Sequence, residues 1–347
     1  MPEKKAEREK AAVQIGKDGH ELWQQIVDSP FHEEWRALAE VEGWRQIWIQ
    51  QYCIIDTVLQ WRQKGNLVPP ASIAIATPHD VTARYGEQQR GTGHVGYQVH
   101  YTEKVAARQQ PQVITEVTTT TAPVPDSKVT PIIQQKLADR KLSPKTHLVD
   151  SGYVTATNIV QSQEKHEIVL YDPARQDTSW QKRLKSGLDL SQFEVDWENK
   201  IVTCPQNNES TLWRTASSQQ GLPLIRIRFS PHDCGPCSER EVCTRGKSRN
   251  LTLRPQKEHE TLQAARQRQE TDEFKEVYRA RAGVEALMSE ATNGLDSRRS
   301  RYFGLAKTHL HNVLTAVAIN LGRVAHWRLG RRRSRTRRSP LLAFQFT

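Results

Sequence analysis

Residues 146–153 read THLVDSGY, an apolar run that ends on an acidic residue and is followed by a glycine. A short apolar run bounded by a turn signal is typical of a buried β-strand. The carboxyl ends of strands are where α/β sheets present their chemical groups. We therefore expect Asp150 at the end of a strand in an α/β fold, where a functional site would lie.

A second stretch, residues 278–285, reads YRARAGVE. On one continuous helix, steps of three and four residues place Tyr278, Arg281 and Glu285 on the same face. A carboxylate binds a hard divalent cation through oxygen, an arginine pairs with phosphate oxygens, and a tyrosine donates one further hydrogen bond. The pattern indicates a site for a metal-bound phosphate. The alternative is a solvated helix face with one ion pair.

Further along the chain, residues 297–323 read SRRSRYFGLAKTHLHNVLTAVAINLGR. The three stretches together resemble the DDE-type transposases of bacterial insertion sequences, most closely the subfamily with a cysteine-bearing insert before the last catalytic helix. The resemblance covers nearly the whole chain. It implies an RNase H-like α/β fold, with a mixed sheet flanked by helices, and three carboxylates around two Mg²⁺ ions. Asp150 matches the second aspartate and Glu285 the third carboxylate, and Tyr278 and Arg281 match residues that contact phosphate.

The first aspartate of the resembled family has no counterpart here. The resemblance places it in an Asp-Ser-Thr-type segment upstream of the helical region, and no such segment occurs in the sequence. We therefore expect an N-terminally truncated copy. Asp56 is a weak substitute because its surroundings have a helical pattern. Gln98 stands where a lysine is common, and Thr292 and Asn293 stand where a basic residue is expected, so both departures would weaken contacts to DNA phosphates.

Composition agrees with a nucleic-acid partner. The chain has 347 residues, a formal net charge of +11 and nine tryptophans. A basic balance favours a polyanion, and tryptophan offers flat surfaces for cores or for stacking on bases. The resemblance makes the partner double-stranded DNA, both the ends of the element and the target, bound by a homodimer. No apolar run is long enough to span a membrane and the start lacks a signal peptide, so we expect a cytoplasmic, nucleoid-associated bacterial protein.

The periodicity of apolar residues divides the chain into parts. Helical spacing dominates the start, alternation begins near His94, a β-rich texture separates the two candidate catalytic residues, and helices return before a basic end. The predicted parts are a helical N-terminal region (1–68), a linker (69–93), the first part of the RNase H-like core (94–174), a β-rich insertion with the cysteine cluster (175–257), the catalytic and C-terminal helices (258–328) and a basic disordered tail (329–347).

The insertion contains most of the cysteines. Cys234 and Cys237 form a Cys-x-x-Cys turn, with Cys243 and Cys204 as further candidates. Such a turn has the spacing that a tetrahedral Zn²⁺ site needs, and two more thiolates would complete a structural site. His232 could replace one cysteine as ligand. A redox motif and unliganded core cysteines are the alternatives.

Basic residues cluster again after the candidate catalytic helix. Arg298, Arg299 and Arg301, with Tyr302 beside them, suit a groove that follows a DNA backbone, although a charge run is usually a solvated face. The arginine-rich tail is too charged to pack and is expected to bind polyanions without specificity.

The favoured function is therefore that of an insertion-sequence DNA transposase, which cleaves and transfers DNA strands at the ends of its element with Mg²⁺ or Mn²⁺. Two alternatives stay open. The chain could be a non-catalytic DNA-binding remnant that inhibits intact transposase, or a zinc-dependent structural or regulatory module. If the chain does cleave DNA, another residue, for example Asp80 or Asp126, would have to replace the missing first aspartate.

Overall fold

The computed structural model describes residues 4–63, 68–87, 93–105, 110–173, 177–184, 188–219 and 221–331. The chain forms two compact units. The first unit consists of Met1–Val124 and Val284–Thr347, and the second unit consists of Pro125–Gly283. The predicted functional parts have other boundaries and remain predictions. The predicted disordered tail lies outside the described residues from residue 332 onward.

The first unit begins with three helices, α1 (Lys5–Asp28), α2 (His32–Arg36) and α3 (Ala39–Gln51). The indole of Trp48 donates to the Gly16 carbonyl at 3.1 Å, which joins α3 to α1. The helical pattern was expected to continue, but the chain turns into a hairpin of β1 (Tyr52–Ile55) and β2 (Val58–Trp61). Asp56 and Thr57 form its turn with φ of 48° and 66°, as a tight two-residue hairpin loop requires. The helical interpretation around Asp56 was therefore wrong.

The same unit contains an antiparallel sheet of β3 (Arg84–Glu87), β4 (Gly93–Glu103) and β5 (Ile114–Thr121). Alternation predicted β4 and a run of β-branched residues predicted β5, and both strands are confirmed. β3 was assigned to a linker. It is too short for alternation to stand out, and only its pairing with β4 makes it a strand.

The second unit begins with α4 (Asp126–Asp139), β6 (Thr146–Leu148), α5 (Ala156–His166) and β7 (Val169–Tyr171). β6 and β7 are parallel neighbours, as expected of strands linked by a helix. The predicted strand before Asp150 is confirmed. Val149 and Leu170 pack with Ile159 of α5 in a small buried cluster.

The insertion has its own core. It contains the helices α6 (Trp180–Arg183), α7 (Pro231–Cys234) and α8 (Arg240–Cys243), and the strands β8 (Glu194–Asp196), β9 (Ile201–Thr203), β10 (Ser210–Ser217), β11 (Pro223–Phe229) and β12 (Asn250–Leu253). Alternate residues of β11 and β12 point inward with Phe193 and Val202 to form one apolar cluster. The predicted β-rich texture is thus present in the structure.

The C-terminal part is helical, as predicted, but it is divided into four α-helices. The structure has α9 (Gln256–Gln269), α10 (Asp272–Arg279), α11 (Ala282–Ser289) and α12 (Leu305–Arg328). The Thr271 hydroxyl caps α10 by accepting from the Phe274 amide at 3.2 Å. Between α10 and α11 the amides of Arg281 and Gly283 bond three residues back, so the α-helical ladder is interrupted there.

Within the first unit α12 packs on β5. The Asn320 side chain bonds both the amide and the carbonyl of Ile114, at 2.8 and 2.9 Å. Ile114 also joins Leu287, Ala316 and Ile319 in a buried cluster. These contacts fix the side of α12 that faces the sheet.

The architecture is thus a mixed α/β one, as predicted, but its strands are divided. In the part of the chain that the structure describes, they form five separate sheets of two or three strands. The single RNase H-like mixed sheet therefore stays a prediction. Among the described residues, no helix combines the length and the apolar character needed to cross a membrane.

Candidate active site and nucleic-acid interface

Asp150 lies two residues beyond the end of β6. Its carboxylate pairs with Arg281, whose Nη2 lies 2.5 Å from Oδ2. The Asp150 side chain is 54% exposed, whereas that of Arg281 is 21% exposed, so solvent reaches the carboxylate more easily than the guanidinium. The structure therefore brings the predicted strand-end aspartate and the predicted phosphate-binding arginine together, and the two side chains form an ion pair.

Tyr278 stands beside this pair in the last turn of α10. Its hydroxyl donates to the Val149 carbonyl at 3.5 Å, and the Arg281 guanidinium carbon lies 5.8 Å from the centre of its ring. The ring also stacks on Phe274, at 5.5 Å between centroids. Burial raises the pKa of the Tyr278 hydroxyl, which therefore stays a hydrogen-bond donor at neutral pH.

Asp126 is a second acidic neighbour of Asp150. It lies in the first turn of α4, and a Cβ built on Gly152 would come 2.9 Å from Asp126 Oδ2. Burial raises the pKa of the Asp126 carboxyl, and the charge of Asp150 raises it further. Only the absence of a side chain at Gly152 leaves room for this approach. The sequence predicted a turn at Gly152 but not the approach of Asp126 to it.

Asp172 directly follows β7, the parallel neighbour of β6. It is buried, at 2% exposure, and neither carboxylate oxygen has a hydrogen-bond partner among the described residues. Burial raises the pKa of the Asp172 carboxyl to about 6, while the positive charge of Arg268 acts in the opposite direction. Like Asp150, Asp172 is an acidic residue at the end of a strand, but it was not predicted as a site residue from the sequence.

Glu285 lies in the first turn of α11 with an exposed side chain. It belongs to the first unit, whereas Asp150 belongs to the second. The premise of one continuous helix face for Tyr278, Arg281 and Glu285 is contradicted, because the first of these lies in α10 and the last in α11. The pairing of Asp150 with Glu285 at one metal site stays a prediction.

In the described ranges, no group of three or more histidine, cysteine, aspartate or glutamate side chains could hold a metal ion. The Asp150 carboxylate forms an ion pair with the Arg281 guanidinium through one of its oxygens, Oδ2. The structure shows a carboxylate–guanidinium pair at this position, and we assign no reaction step to a metal.

The predicted basic residues form an exposed surface between α11 and α12. We call residues 298–302 the basic segment; it contains Arg298, Arg299, Arg301 and Tyr302, all exposed. The Ser300 hydroxyl donates to the Tyr302 carbonyl at 2.8 Å and lies 3.1 Å from the Thr308 hydroxyl of α12. Hydrogen bonds of Ser300 thus hold the backbone of the segment while its arginines reach solvent, as a surface for phosphates requires.

The four predicted zinc ligands are free thiols in the insertion. Cys204, Cys234 and Cys243 pack against the insertion core, and the Cys204 sulfur accepts from the Asn208 amide at 3.4 Å. Burial raises the pKa of the Cys243 thiol; the other three cysteines add to this and Arg249 opposes it. We call the set the cysteine cluster. Its members are neighbours, but they do not form a closed metal site, and the zinc assignment stays a prediction.

Residues 203–325 match the family described as Transposase DDE domain. The matched segment contains the cysteine cluster, Glu285 and the basic segment, and Asp150 precedes it. The resemblance to DDE-type transposases is thereby confirmed. Members of this family act on DNA and generally use divalent metal ions. No curated protein and no solved structure matches the chain.

Proposed function

We propose that this chain acts on double-stranded DNA as the transposase of an insertion sequence, cleaving and transferring strands at the ends of its element. The match over residues 203–325 carries the proposal, because it contains both a candidate catalytic carboxylate, Glu285, and the exposed basic segment. The formal charge of +11 supports a polyanionic partner. The proposed setting is the bacterial cytoplasm near the nucleoid, with two copies of the chain on the DNA.

In this proposal Asp150 and Glu285 are the catalytic carboxylates and would hold Mg²⁺ or Mn²⁺. The ion, when bound, would supply electrostatic stabilisation of a phosphodiester under attack. Arg281 has a different task. Its guanidinium suits a carboxylate and a phosphate equally well, so a DNA phosphate would compete with Asp150 for it. Tyr278, a protonated donor beside Arg281, would add one hydrogen bond to the same phosphate.

A second candidate is a DNA-binding protein without catalysis. Two observations favour it. Asp150 is held by Arg281, and the described residues provide no set of three donors for a metal ion. The basic segment does not depend on either observation, so affinity for DNA would persist without cleavage. Such a chain could pair with an intact transposase and inhibit it. The cysteine cluster is proposed as a structural zinc site in both cases.

One experiment separates these functions. The purified chain is incubated with a linear duplex carrying the element's ends, in Mg²⁺ or Mn²⁺, beside Asp150→Asn and Glu285→Gln. Asp139→Asn, at the exposed end of α4, is a matched control for the loss of one negative charge. Cleavage by the starting chain and the control that both site variants lose supports the transposase.

The binding measurement completes the assay. If all four proteins bind the duplex and none cuts it, the DNA-binding candidate replaces the first. Binding should weaken as salt rises, because phosphate contacts release counterions. A chain that neither binds nor cuts, at low salt and with its fold intact, would end both proposals.

A further inference from the structure

Asp80 is a buried carboxylate in the loop that precedes β3, and it is 8% exposed. Its Oδ1 accepts hydrogen bonds from the Thr82 amide at 3.1 Å, the Thr82 hydroxyl at 2.9 Å and the Ala83 amide at 3.1 Å. An aspartate that accepts from the next residues along the chain stabilises a turn. These three bonds therefore fix the loop around Asp80 itself.

Two further donors come from distant parts of the first unit. The Tyr97 hydroxyl of β4 lies 2.8 Å from both carboxylate oxygens, and the Gly304 amide donates to Oδ2 at 2.9 Å. The next amide, of Leu305, donates to the Thr82 hydroxyl at 3.2 Å. Asp80 and Thr82 thus accept two of the amides at the beginning of α12, which have no partner within the helix.

The arrangement favours a charged carboxylate. Burial alone would raise the pKa of Asp80, but hydrogen bonds from Gly304, Tyr97 and Thr82 outweigh it and leave the pKa below its ordinary value. Burial and the same carboxylate raise the pKa of Tyr97 to about 12, so its hydroxyl stays a donor. A carboxylate with donors from a loop, a strand and a helix start holds all three elements together.

Both carboxylate oxygens of Asp80 accept hydrogen bonds. An ionised carboxylate offers about four lone-pair positions. Donors from Thr82, Ala83 and Tyr97 lie within hydrogen-bond distance of Oδ1, and donors from Tyr97 and Gly304 lie within hydrogen-bond distance of Oδ2. A metal ion at Asp80 would therefore have to displace at least one of these donors, so the possibility that Asp80 replaces the first catalytic aspartate stays a prediction.

What Asp80 holds is the end of the basic segment. Gly304, at φ +92°, connects that segment to α12. The segment in turn packs on the first turns of α12. The Ser300 and Thr308 hydroxyls are hydrogen-bonded, and the Tyr302 ring lies 5.8 Å from the His311 ring. Movement at Gly304 would therefore move the arginines.

We propose that Asp80 is a positioning residue for DNA binding: it anchors the start of α12 and thereby holds the basic segment in the conformation that contacts phosphates. The proposal rests on the proposed function, because the DNA contact belongs to it. Asp80 itself does not touch DNA in this role. Its removal takes away a negative charge, which by charge alone would strengthen DNA binding, so a weakening would have to come from lost positioning.

The test measures binding of the full-length chain to a fluorescent duplex of about 30 base pairs, long enough for a site of the usual size, over a series of NaCl concentrations. Asp80→Ala is compared with Asp56→Asn, which removes the same charge from an exposed turn of the same unit. A variant without the three arginines, Arg298→Ala, Arg299→Ala and Arg301→Ala, is made in both backgrounds. We expect Asp80→Ala to weaken binding at least about threefold and to lower the salt slope by about 1 to 3, as loss of one to three phosphate contacts predicts.

A double-mutant cycle tests whether Asp80 acts through the arginines. The triple arginine substitution should cost less affinity in the Asp80→Ala background than in the starting chain. Additive losses, or binding of Asp80→Ala equal to that of Asp56→Asn, would overturn the proposal. Tyr97→Phe and Thr82→Val each remove donors from the anchor and are expected to show the same effect more weakly. If Asp80→Ala does not fold, DNA binding by these two variants tests the proposal in its place.

Hydrogen exchange separates failure of this proposal from failure of the proposed function. Peptides covering residues 298–306 should exchange faster in Asp80→Ala, with α1 unchanged, whether or not DNA is bound. If exchange rises there but the triple arginine variant binds DNA as well as the starting chain, the proposed DNA contact is wrong and the anchor stands. If exchange does not change, the anchor itself is refuted.

Discussion

Replacing Asp172 with asparagine is expected to alter how the stability of the second unit depends on pH. Asp172 is buried directly after β7, and its carboxylate oxygens have no partner among the described residues. The nearby Arg268 guanidinium instead donates to the Leu170 carbonyl at 2.8 Å and lies over the Tyr171 ring. Burial therefore disfavours the charged form of Asp172 without a hydrogen bond to compensate.

The magnitude follows from the pKa. Burial raises the pKa of Asp172 to about 6 in the folded protein, against an ordinary aspartate value of about 3.9. The folded state holds the proton more tightly, so stability falls as pH rises from about 4 to about 6 and stays low above that. About two pKa units correspond to about 3 kcal/mol at neutral pH, of which about half is lost between pH 5 and pH 7.5.

The asparagine side chain of the variant would not titrate. Its unpartnered amide carries a cost of its own, but that cost does not change with pH and cancels when two pH values are compared. The buried His147 has a pKa lowered to about 4 by burial, and it titrates equally in both proteins. Relative to the native protein, Asp172→Asn should therefore gain about 1.5 kcal/mol in unfolding free energy between pH 5 and pH 7.5.

The measurement is urea-dependent hydrogen exchange of peptides that contain β7, so that the second unit is followed independently of the first. Asp139→Asn, at the exposed end of α4, is the matched control for the loss of one carboxylate from the same unit. If the difference between Asp172→Asn and the native protein is the same at both pH values, the carboxyl is not destabilised by burial and the reasoning fails.

Three further predictions concern the site and the insertion. Gly152→Ala should destabilise the second unit by about 1 kcal/mol in urea unfolding, because the new Cβ would lie 2.9 Å from Asp126 Oδ2; an unchanged midpoint would show that the carboxylate moves aside freely. The Asp150 and Glu285 carboxylates should lie within about 8 Å, as ligands shared by two metals require, and spin-label distances above about 15 Å would refute the site. The cysteine cluster should bind one zinc ion and resist alkylation until a chelator removes the metal; purified protein without zinc and with four reactive thiols would refute this.

Strands with clear alternation could be predicted from the sequence. In β4, small or polar residues alternate with Val95, Tyr97 and Val99, and this alternation follows from a strand with two unlike faces. β6 was predictable because an apolar run ended at a turn. The acidic residue at its end then identified Asp150, whose contact with Arg281 the structure shows.

Features that depend on distant partners could not be predicted in this way. The hairpin at β1 and β2 has apolar residues that fit a helix as well as a strand, and the positive φ angles of Asp56 and Thr57 decide between them. The interruption before α11 has the composition of a helix, with alanines on both sides. The role of Asp80 depends on hydrogen bonds from Tyr97 and Gly304, which lie far from it in sequence. No local sequence pattern predicts these contacts.

The apolar cluster of the insertion has a consequence for how the chain acquires its structure. All its buried members, from Phe193 to Leu253, lie within one contiguous stretch, and β10, β11 and β12 pair with their neighbours in sequence order. Contacts between residues close in sequence cost little loop entropy and form early. We expect this module to condense on the ribosome as soon as β12 has emerged, before α12, which contains residues that pack on β5, has been synthesised. The insertion would then already be folded when the flanking segments of the second unit, before and after it in sequence, pack together.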